Sequence, residues 1–286
     1  MKARAFSYER PRTVEEARAA FLAVDGDASY ISGGQSLVPA LAMRLQAPAV
    51  LVDLSGIADL RGVELQGETL RIGALTRHAD ALTHPLIARH APLLNAAAPF
   101  VAHPAIRNRG TLGGSVSLAD PASEFPAMML AMGAQMEIFG EDGFRRVPAD
   151  DYFIDLYQTA LEPGDILTAL YVPSVGPHHR WAFDELARRR GDYAMVGAGI
   201  LAHMDGALVE SARIALFSVG STPVRAPGAE AALAGRLLDA KTIADAQRAL
   251  DDDLDPPDDE HIPAAMRRHL ARVLLGRLLQ RLGETP

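Results

Sequence analysis

Residues 108–124 read NRGTLGGSVSLADPASE, and the organisation of the chain follows from how this stretch is understood. Three glycines, Gly110, Gly113 and Gly114, fall within five positions, with hydroxyls at Thr111 and Ser115. Without a Cβ, the backbone can come close to a ligand or to another segment. Two acids follow, Asp120 and Glu124, directly ahead of EFPAMMLAMGAQ, an apolar run with the length of a helix. The acids have two readings. An acid shortly after a phosphate-binding turn can accept hydrogen bonds from ribose hydroxyls, and an acid just before a helix can cap it.

A second bare turn lies upstream. Residues 27–31, DASYI, read as a short strand, SGGQS at 32–36 as a tight turn, LVPALAMRL as a helix and PAVLVDLSG as a second strand. Residues 28–55 thus form one strand–helix–strand unit. The turn either offers its N–H groups to an anion, helped by Ser32, Gln35 and Ser36, or simply joins strand to helix. Neither turn is a P-loop, because no Gly-Lys-Ser/Thr follows. Gly197-Ala198-Gly199-Ile200-Leu201-Ala202 fits a loose dinucleotide pattern, but a hairpin turn at Asp205-Gly206 follows it instead of a helix. Two bare turns on one chain suggest a ligand with a pyrophosphate between two bulky ends. Lysine occurs only at positions 2 and 241. Backbone N–H groups and Arg107 or Arg109 would therefore balance the phosphates.

Outward from these turns the pattern alternates helices and hairpins. TVEEARAAFLAV, 13–24, opens with a Thr-x-x-Glu capping box. VELQGETLRIGAL, 63–75, and MEIFGEDGFRRVP, 136–148, read as hairpins, and ILTALYVP, 166–173, as a strand. Residues 76–102 are mostly helical. SVGPHHR, 174–180, is the linker candidate. Residues 183–220 then read as three strands with a hairpin at Asp205-Gly206, and the remainder as helices. A domain boundary near residue 177 follows, separating 1–176, with lobes of about 1–55 and 56–176, from 177–286. The acidic run DDDLDPPDDE, 251–260, fails as a calcium loop. Pro256 stands where glycine is needed, no glutamate closes the loop, and the run reads as a solvated loop.

Composition excludes several classes. The 286 residues are 49% apolar and 22% charged, which suits a globular chain with sizeable cores. A formal net charge of −8 weighs against a nucleic-acid binder. The absence of cysteine excludes disulfides, thiolate zinc sites, cysteine nucleophiles and iron–sulfur clusters carried by this chain. His78, His84, His90 and His103 share one region, but their spacing matches no metal motif, so no metal is expected. No apolar run is long enough to cross a bilayer and the N-terminus does not read as a signal peptide, so a cytoplasmic location is expected.

In combination, Ser32-Gly33-Gly34-Gln35-Ser36-Leu37, Asn108 through Ser115, and Ala119-Asp120-Pro121-Ala122-Ser123-Glu124 resemble the two signature stretches of the flavoprotein (medium) subunit of molybdenum hydroxylases, the carbon monoxide dehydrogenase and xanthine dehydrogenase relatives. TRHADAL at 76–82, PGDIL at 163–167, RRRGDYAMVGAG at 188–199 and FSVGSTPVRA at 217–226 extend the resemblance over nearly the whole chain. It implies an α+β fold: a two-lobed FAD-binding domain of the vanillyl-alcohol-oxidase/PCMH type, then a small C-terminal domain of antiparallel sheet and helices. It implies that both glycine turns hold the FAD pyrophosphate, with Tyr30, Ile31, Ser32, Gly33, Gly34, Gln35, Ser36 and Leu37 around the first turn. Gly110, Thr111, Gly113, Gly114 and Ser115 form the second. By the same resemblance Val101, Ile166 and Leu167 touch the cofactor, His78 lies near the flavin, and Glu124, in preference to Asp120, reaches the adenosine ribose. Tyr193 falls where an aromatic ring packs near the isoalloxazine. Many relatives carry a lysine shortly before the Arg-rich segment, where this chain has Asp184-Glu185. Neither turn contains a histidine or cysteine, so FAD should be non-covalent.

The expected role is an FAD-carrying electron-transfer subunit with no catalytic residue of its own for substrate oxidation. It would accept electrons from the [2Fe–2S] clusters of a small subunit. A large molybdopterin subunit would oxidise the substrate, and the whole would be a dimer of heterotrimers. A self-contained flavin oxidase of the same broad fold is the alternative, but the residues after the linker look too few and too helical for a substrate domain. A nucleotide-binding regulatory module without redox function is a further alternative.

Overall fold

The computed structural model describes residues 2–260 and 262–284. The first helix, Val14–Leu22, begins where its cap demands: Thr13 Oγ1 accepts from the Glu16 N–H at 3.2 Å, and the Glu16 carboxylate accepts from the Arg12 N–H at 2.8 Å. Strands Ala28–Ile31 and Val50–Asp53 pair in parallel around helix Leu37–Met43, as the strand–helix–strand reading requires. A third strand, Ser7–Glu9, pairs in parallel with the other side of Val50–Asp53. It is three residues long and exposed, so it leaves no alternating pattern in the sequence. Val14, Ala17, Val50, Val52, Ile57 and Ile166 are among the residues that fill this lobe's core.

The second lobe is an antiparallel sheet in the order Val63–Gln66, Thr69–Gly73, Ile166–Pro173, Gln135–Gly140, Gly143–Pro148. The two expected hairpins are its edges, and the strand Ile166–Pro173 is central and buried except at its last residue. Helix Glu124–Ala131 is buried from Phe125 onward. Its uniform apolarity suits a helix enclosed on all sides.

The C-terminal sheet has His179–Leu186, Val196–Asp205, Leu208–Phe217 and Val224–Arg225 in antiparallel order, with Arg236–Leu237 pairing Leu208–Val209. Gly206 supplies the positive φ of the hairpin turn. Helices Pro227–Leu233, Ala240–Asp253 and Ala264–Glu284 cover it. The mixed α+β architecture, antiparallel sheet and helices at the C-terminal end, is the one expected.

Two expectations need correction. The linker stretch 174–180 is shorter than its composition suggests, because the strand already begins at His179. The acidic run is not wholly a solvated loop: Asp251–Asp253 end helix Ala240–Asp253. Asp253 accepts from the N–H groups of Gly228 and Ala229 at 2.8 and 2.9 Å, satisfying the start of another helix. Asp251, Asp255 and Asp259 pair with Arg272, Arg268 and Arg267. The run reads as unstructured because its arginine partners lie more than ten positions away or on the following helix.

The glycines of the loose dinucleotide pattern lie inside strand Val196–Asp205. An added Cβ on Gly197 would fall 1.9 Å from the Phe217 ring, and one on Gly199 would fall 2.6 Å from Met128. They are bare so that the buried helix Glu124–Ala131 and Phe217 can lie directly on the sheet. No helix among the described residues is long and apolar enough to cross a membrane.

Candidate functional site

The two glycine turns, 76 residues apart in sequence, touch. A Cβ on Gly33 would lie 2.4 Å from the carbonyl oxygen of Arg109 and 2.8 Å from the Gly110 Cα. Ser32 Oγ and Thr111 Oγ1 are 3.1 Å apart, within hydrogen-bonding distance. A Cβ on Gly114 would fall within 2.9 Å of both hydroxyls. Each turn therefore needs its glycine because the other turn occupies the space.

Their hydrogen bonding differs. In the first turn Gly34 has φ +73°, and the Gln35 side chain donates to the Gly33 carbonyl at 3.0 Å. The backbone N–H groups of Gly34, Gln35 and Ser36 have no acceptor among the described residues. In the second turn the amides are used internally. Leu112 N–H donates to Thr76, Gly113 N–H to Ala74, Gly114 N–H to Thr111 Oγ1 and Ser115 N–H to the Thr111 carbonyl. A Cβ on Gly113 would lie 2.5 Å from the Ala74 Cβ, so this glycine seats helix Leu112–Leu118 on the strand. Donors for an anion thus come from the first turn, with the bare Gly114 facing it from the second.

His78 supports the second turn from behind. Its Nε2 lies 2.9 Å from the Thr111 carbonyl, and its ring meets Phe125 edge-on at 4.9 Å. A carbonyl accepts only, so Nε2 carries the proton. Nδ1 is then bare and packs against Gly110, where a Cβ would fall 2.9 Å away. Burial lowers the imidazole pKa to about 4, which keeps it neutral. The Arg107 guanidinium, expected among the phosphate-balancing groups, is instead bonded to the carbonyls of Val101 and Ala102 at 2.8 and 3.0 Å. It fixes the 99–102 turn, whose Ala102 has φ +41°. Val101 is buried there. Arg109 is exposed.

Other expected residues are divided between core and surface. Tyr30 stacks on Phe21 at 4.6 Å and its hydroxyl donates to the Gly164 carbonyl at 2.9 Å. Ile31 packs near Gly34, and Leu37 begins helix Leu37–Met43 with Ser36 as its N-cap residue. Ile166 and Leu167 point to opposite sides of their strand, Ile166 into the core of the first lobe and Leu167 into that of the second.

Behind the second turn, helix Leu112–Leu118 ends at Ala119 in a left-handed conformation. The chain then places Asp120, whose Oδ1 accepts from the Ala122 N–H at 2.9 Å, and Glu124 at the start of the next helix. The expected helix-capping alternative is not realised by Glu124 as N-cap, since Ser123 holds that position. Burial raises the Glu124 pKa to about 7, with Asp120 adding to the effect. The exposed Tyr193 phenol faces Asp120 and lies in the field of Glu124. Tyr193 also lines a cavity of about 440 Å³ together with Met195, Ile262 and Arg267. On the strand before the Arg-rich segment, Asp184 pairs with Arg281, while Glu185 Oε2 is buried without a partner among the described residues.

The sequence left Tyr157 unnoticed. It sits between the short strands Phe153–Asp155 and Gln158–Thr159 with φ +55°, its phenol in the field of Asp120 and Tyr193. Nothing in local spacing marks a lone tyrosine beyond a two-residue loop.

Comparison with known proteins gives the family. The family model described as the FAD binding domain in molybdopterin dehydrogenase matches residues 4–175, and that of the CO dehydrogenase flavoprotein C-terminal domain matches 181–282. The chain is 36% identical to the carbon monoxide dehydrogenase medium chain of Afipia carboxidovorans, covering 96% of each chain. It is 35% identical to the nicotine 6-hydroxylase medium subunit of Paenarthrobacter nicotinovorans, covering 99% of each. Among solved structures it superposes on a chain of quinoline 2-oxidoreductase from Pseudomonas putida 86 with a TM-score of 0.94, at 39% identity and 99% coverage of both chains. With both family models matched in order and relatives aligned end to end, the chain belongs to the FAD-binding medium subunits of the molybdenum hydroxylase family.

Proposed function

We propose that this chain carries non-covalent FAD in a cytoplasmic molybdenum hydroxylase. It takes electrons from the [2Fe–2S] clusters of a small subunit and delivers them to an external acceptor, while a large molybdopterin subunit oxidises the substrate. The assembly is a dimer of heterotrimers. The observation that carries the reading is the pair of interlocked glycine turns. The unpaired amides of Gly34, Gln35 and Ser36 fit one side of a pyrophosphate, and Gly114 and Ser115 fit the other. Bound FAD supplies one-electron acceptance and two-electron discharge, which lets single electrons from clusters reach a two-electron acceptor.

The chain's own residues hold and shape the site. Thr111 caps helix Leu112–Leu118 and joins its hydroxyl to Ser32, which locks the two turns in register. His78 fixes the second turn from inside, and Arg107 holds the turn containing Val101. Tyr193, exposed beside Asp120, is the ring that packs on the isoalloxazine, and Glu124 is the acid that receives a hydroxyl or N–H of the nucleotide. Residues 1–176 form the FAD-binding domain and 177–286 the C-terminal domain. The two family matches leave residues 176–180 between them, which supports a boundary near 177.

The test is purification of the complex and of the chain alone. The complex should carry FAD, iron and molybdenum, and acid precipitation should leave the FAD in the supernatant. A yellow pellet would overturn the non-covalent reading. Oxidation of an organic substrate by the isolated chain, free of iron and molybdenum, would favour the self-contained oxidase instead.

A further inference from the structure

Helix Glu124–Ala131 lies across the strands of the C-terminal sheet, and its placement has a consequence at its first turn. Met128 rests on Gly199. One helical turn back from Met128 is Glu124, and two residues back along the strand is Gly197, which is paired with Glu185 on the neighbouring strand. The Ser218 N–H donates to the Pro121 carbonyl at 2.8 Å, and Phe217 is paired with Gly197, so the helix starts at the Gly197 end of the strand and the two glutamates, 61 positions apart, lie at the same end of the helix with Asp120 and Tyr193.

Among the described residues no salt bridge joins a cation to either carboxyl. Neither Glu124 nor Glu185 has an ion-pair partner among the described residues, and Glu185 Oε2 is buried with no hydrogen-bond partner at all. The groups around them are acidic or phenolic. Asp120 follows the glycine-turn helix and Tyr157 is on the short hairpin. Tyr193 is on the Arg-rich loop, and Asp184, next in the strand, is neutralised by Arg281 of the C-terminal helix. Two carboxyls at one end of the helix, one with a buried oxygen that has no partner among the described residues, cannot both be ionised at little cost, so the pair retains one proton.

We propose that Glu185 and Glu124 are a proton-sharing carboxyl pair that binds the flavin nucleotide, one carboxyl donating a hydrogen bond and the other accepting one. A ligand edge with an adjacent donor and acceptor is what such a pair complements. FAD has two such edges, the vicinal hydroxyls of the adenosine ribose and the N–H and carbonyls of the flavin's pyrimidine ring. The proposal rests on the reading of this site as the FAD site. Burial, with Asp120 adding to it, raises the pKa of Glu124 to about 7, and burial, with Glu124 and Asp184 adding to it, raises that of Glu185 to about 8, in keeping with a retained proton at neutral pH.

The sign follows directly. The binding form carries one proton, and that form is depleted as pH rises through about 8. FAD affinity should then fall, approaching tenfold per pH unit, because one proton is taken up with the ligand. The experiment measures the Kd of the full chain for FAD and for FMN from about pH 6.5 to about 9.5, in the wild type and Glu185→Gln. Infrared spectroscopy follows the carbonyl band of a protonated carboxylic acid in parallel. The wild type should lose affinity above pH 8 and show the band, while Glu185→Gln should have a flat profile and lack it. The same pH dependence for FMN assigns the pair to the pyrimidine edge, and its absence with FMN assigns it to the adenosine ribose. Parallel profiles for wild type and Glu185→Gln, with FAD bound by both, would overturn the pair and leave the FAD site standing. A purely structural role would also give that result, lowering the melting temperature without changing the profile. A wild-type chain that takes up no FAD at any pH would overturn both the pair and the site.

Discussion

Gly33 shows how much of the site rests on a missing atom. Its absent Cβ is what lets the Arg109 carbonyl approach, so the constraint belongs to the contact between the two turns and not to backbone conformation, since Gly33 lacks a positive φ. Gly33→Ala must separate the turns by a fraction of an ångström or more. FAD affinity should fall by about ten- to a hundredfold, or about 1.4–2.8 kcal/mol, with the far-UV spectrum of the folded protein unchanged. Equilibrium titration of the apoprotein measures this, and an unaltered Kd would show that the turns do not act together on the cofactor. The same residue was legible as a functional glycine in the sequence, but its partner at Arg109 was not. The backbone acceptors of Arg107 and His78, at Val101 and Thr111, are likewise set by the fold and not by local sequence.

At the level of elements, the packing of helix Glu124–Ala131 on the C-terminal sheet depends on Gly197 and Gly199. The Phe217 ring occupies the space a side chain at 197 would take, and it lies parallel to Phe183 at 6.1 Å. Gly197→Ala should destabilise the chain by about 1–3 kcal/mol through overpacking. At roughly 2–4 °C per kcal/mol this is a fall in Tm of several degrees. Phe217→Leu frees volume at the contact, so the double variant Gly197→Ala/Phe217→Leu should lose less stability than the sum of the single losses. Strict additivity in calorimetry would show that Gly197 is not limited by Phe217. The sequence already argued that this Gly-x-Gly is no phosphate loop, from the hairpin that follows. Why glycine is needed there came from a ring 20 residues away.

Across the whole molecule, one core crosses the proposed domain boundary. Phe183, Ala194, Ala215 and Phe217 join the buried cluster of the FAD-binding lobe. Arg213 donates from Nη2 to both carboxylate oxygens of Asp150 at 2.8 and 2.9 Å and from Nε to the Leu130 carbonyl at 3.0 Å. The two parts should therefore unfold together, giving one calorimetric transition whose van't Hoff and calorimetric enthalpies agree. Two resolved transitions would mean that the shared cluster does not couple them. What the sequence determined by itself is what local chemistry decides. Alternation and turn residues marked the hairpins, Thr13 marked the first cap, the glycine runs marked both turns, and the lack of cysteine removed iron–sulfur clusters from this chain. What only the tertiary structure decided is what distant segments do to one another: the turn at 33 against that at 110, the edge strand Ser7–Glu9, the paired acids at 251–259, and Glu185 beside Glu124. Local propensity acts over a few residues, whereas steric exclusion, ion pairing and desolvation act wherever the fold brings groups into contact. No pattern along the chain encodes that distance.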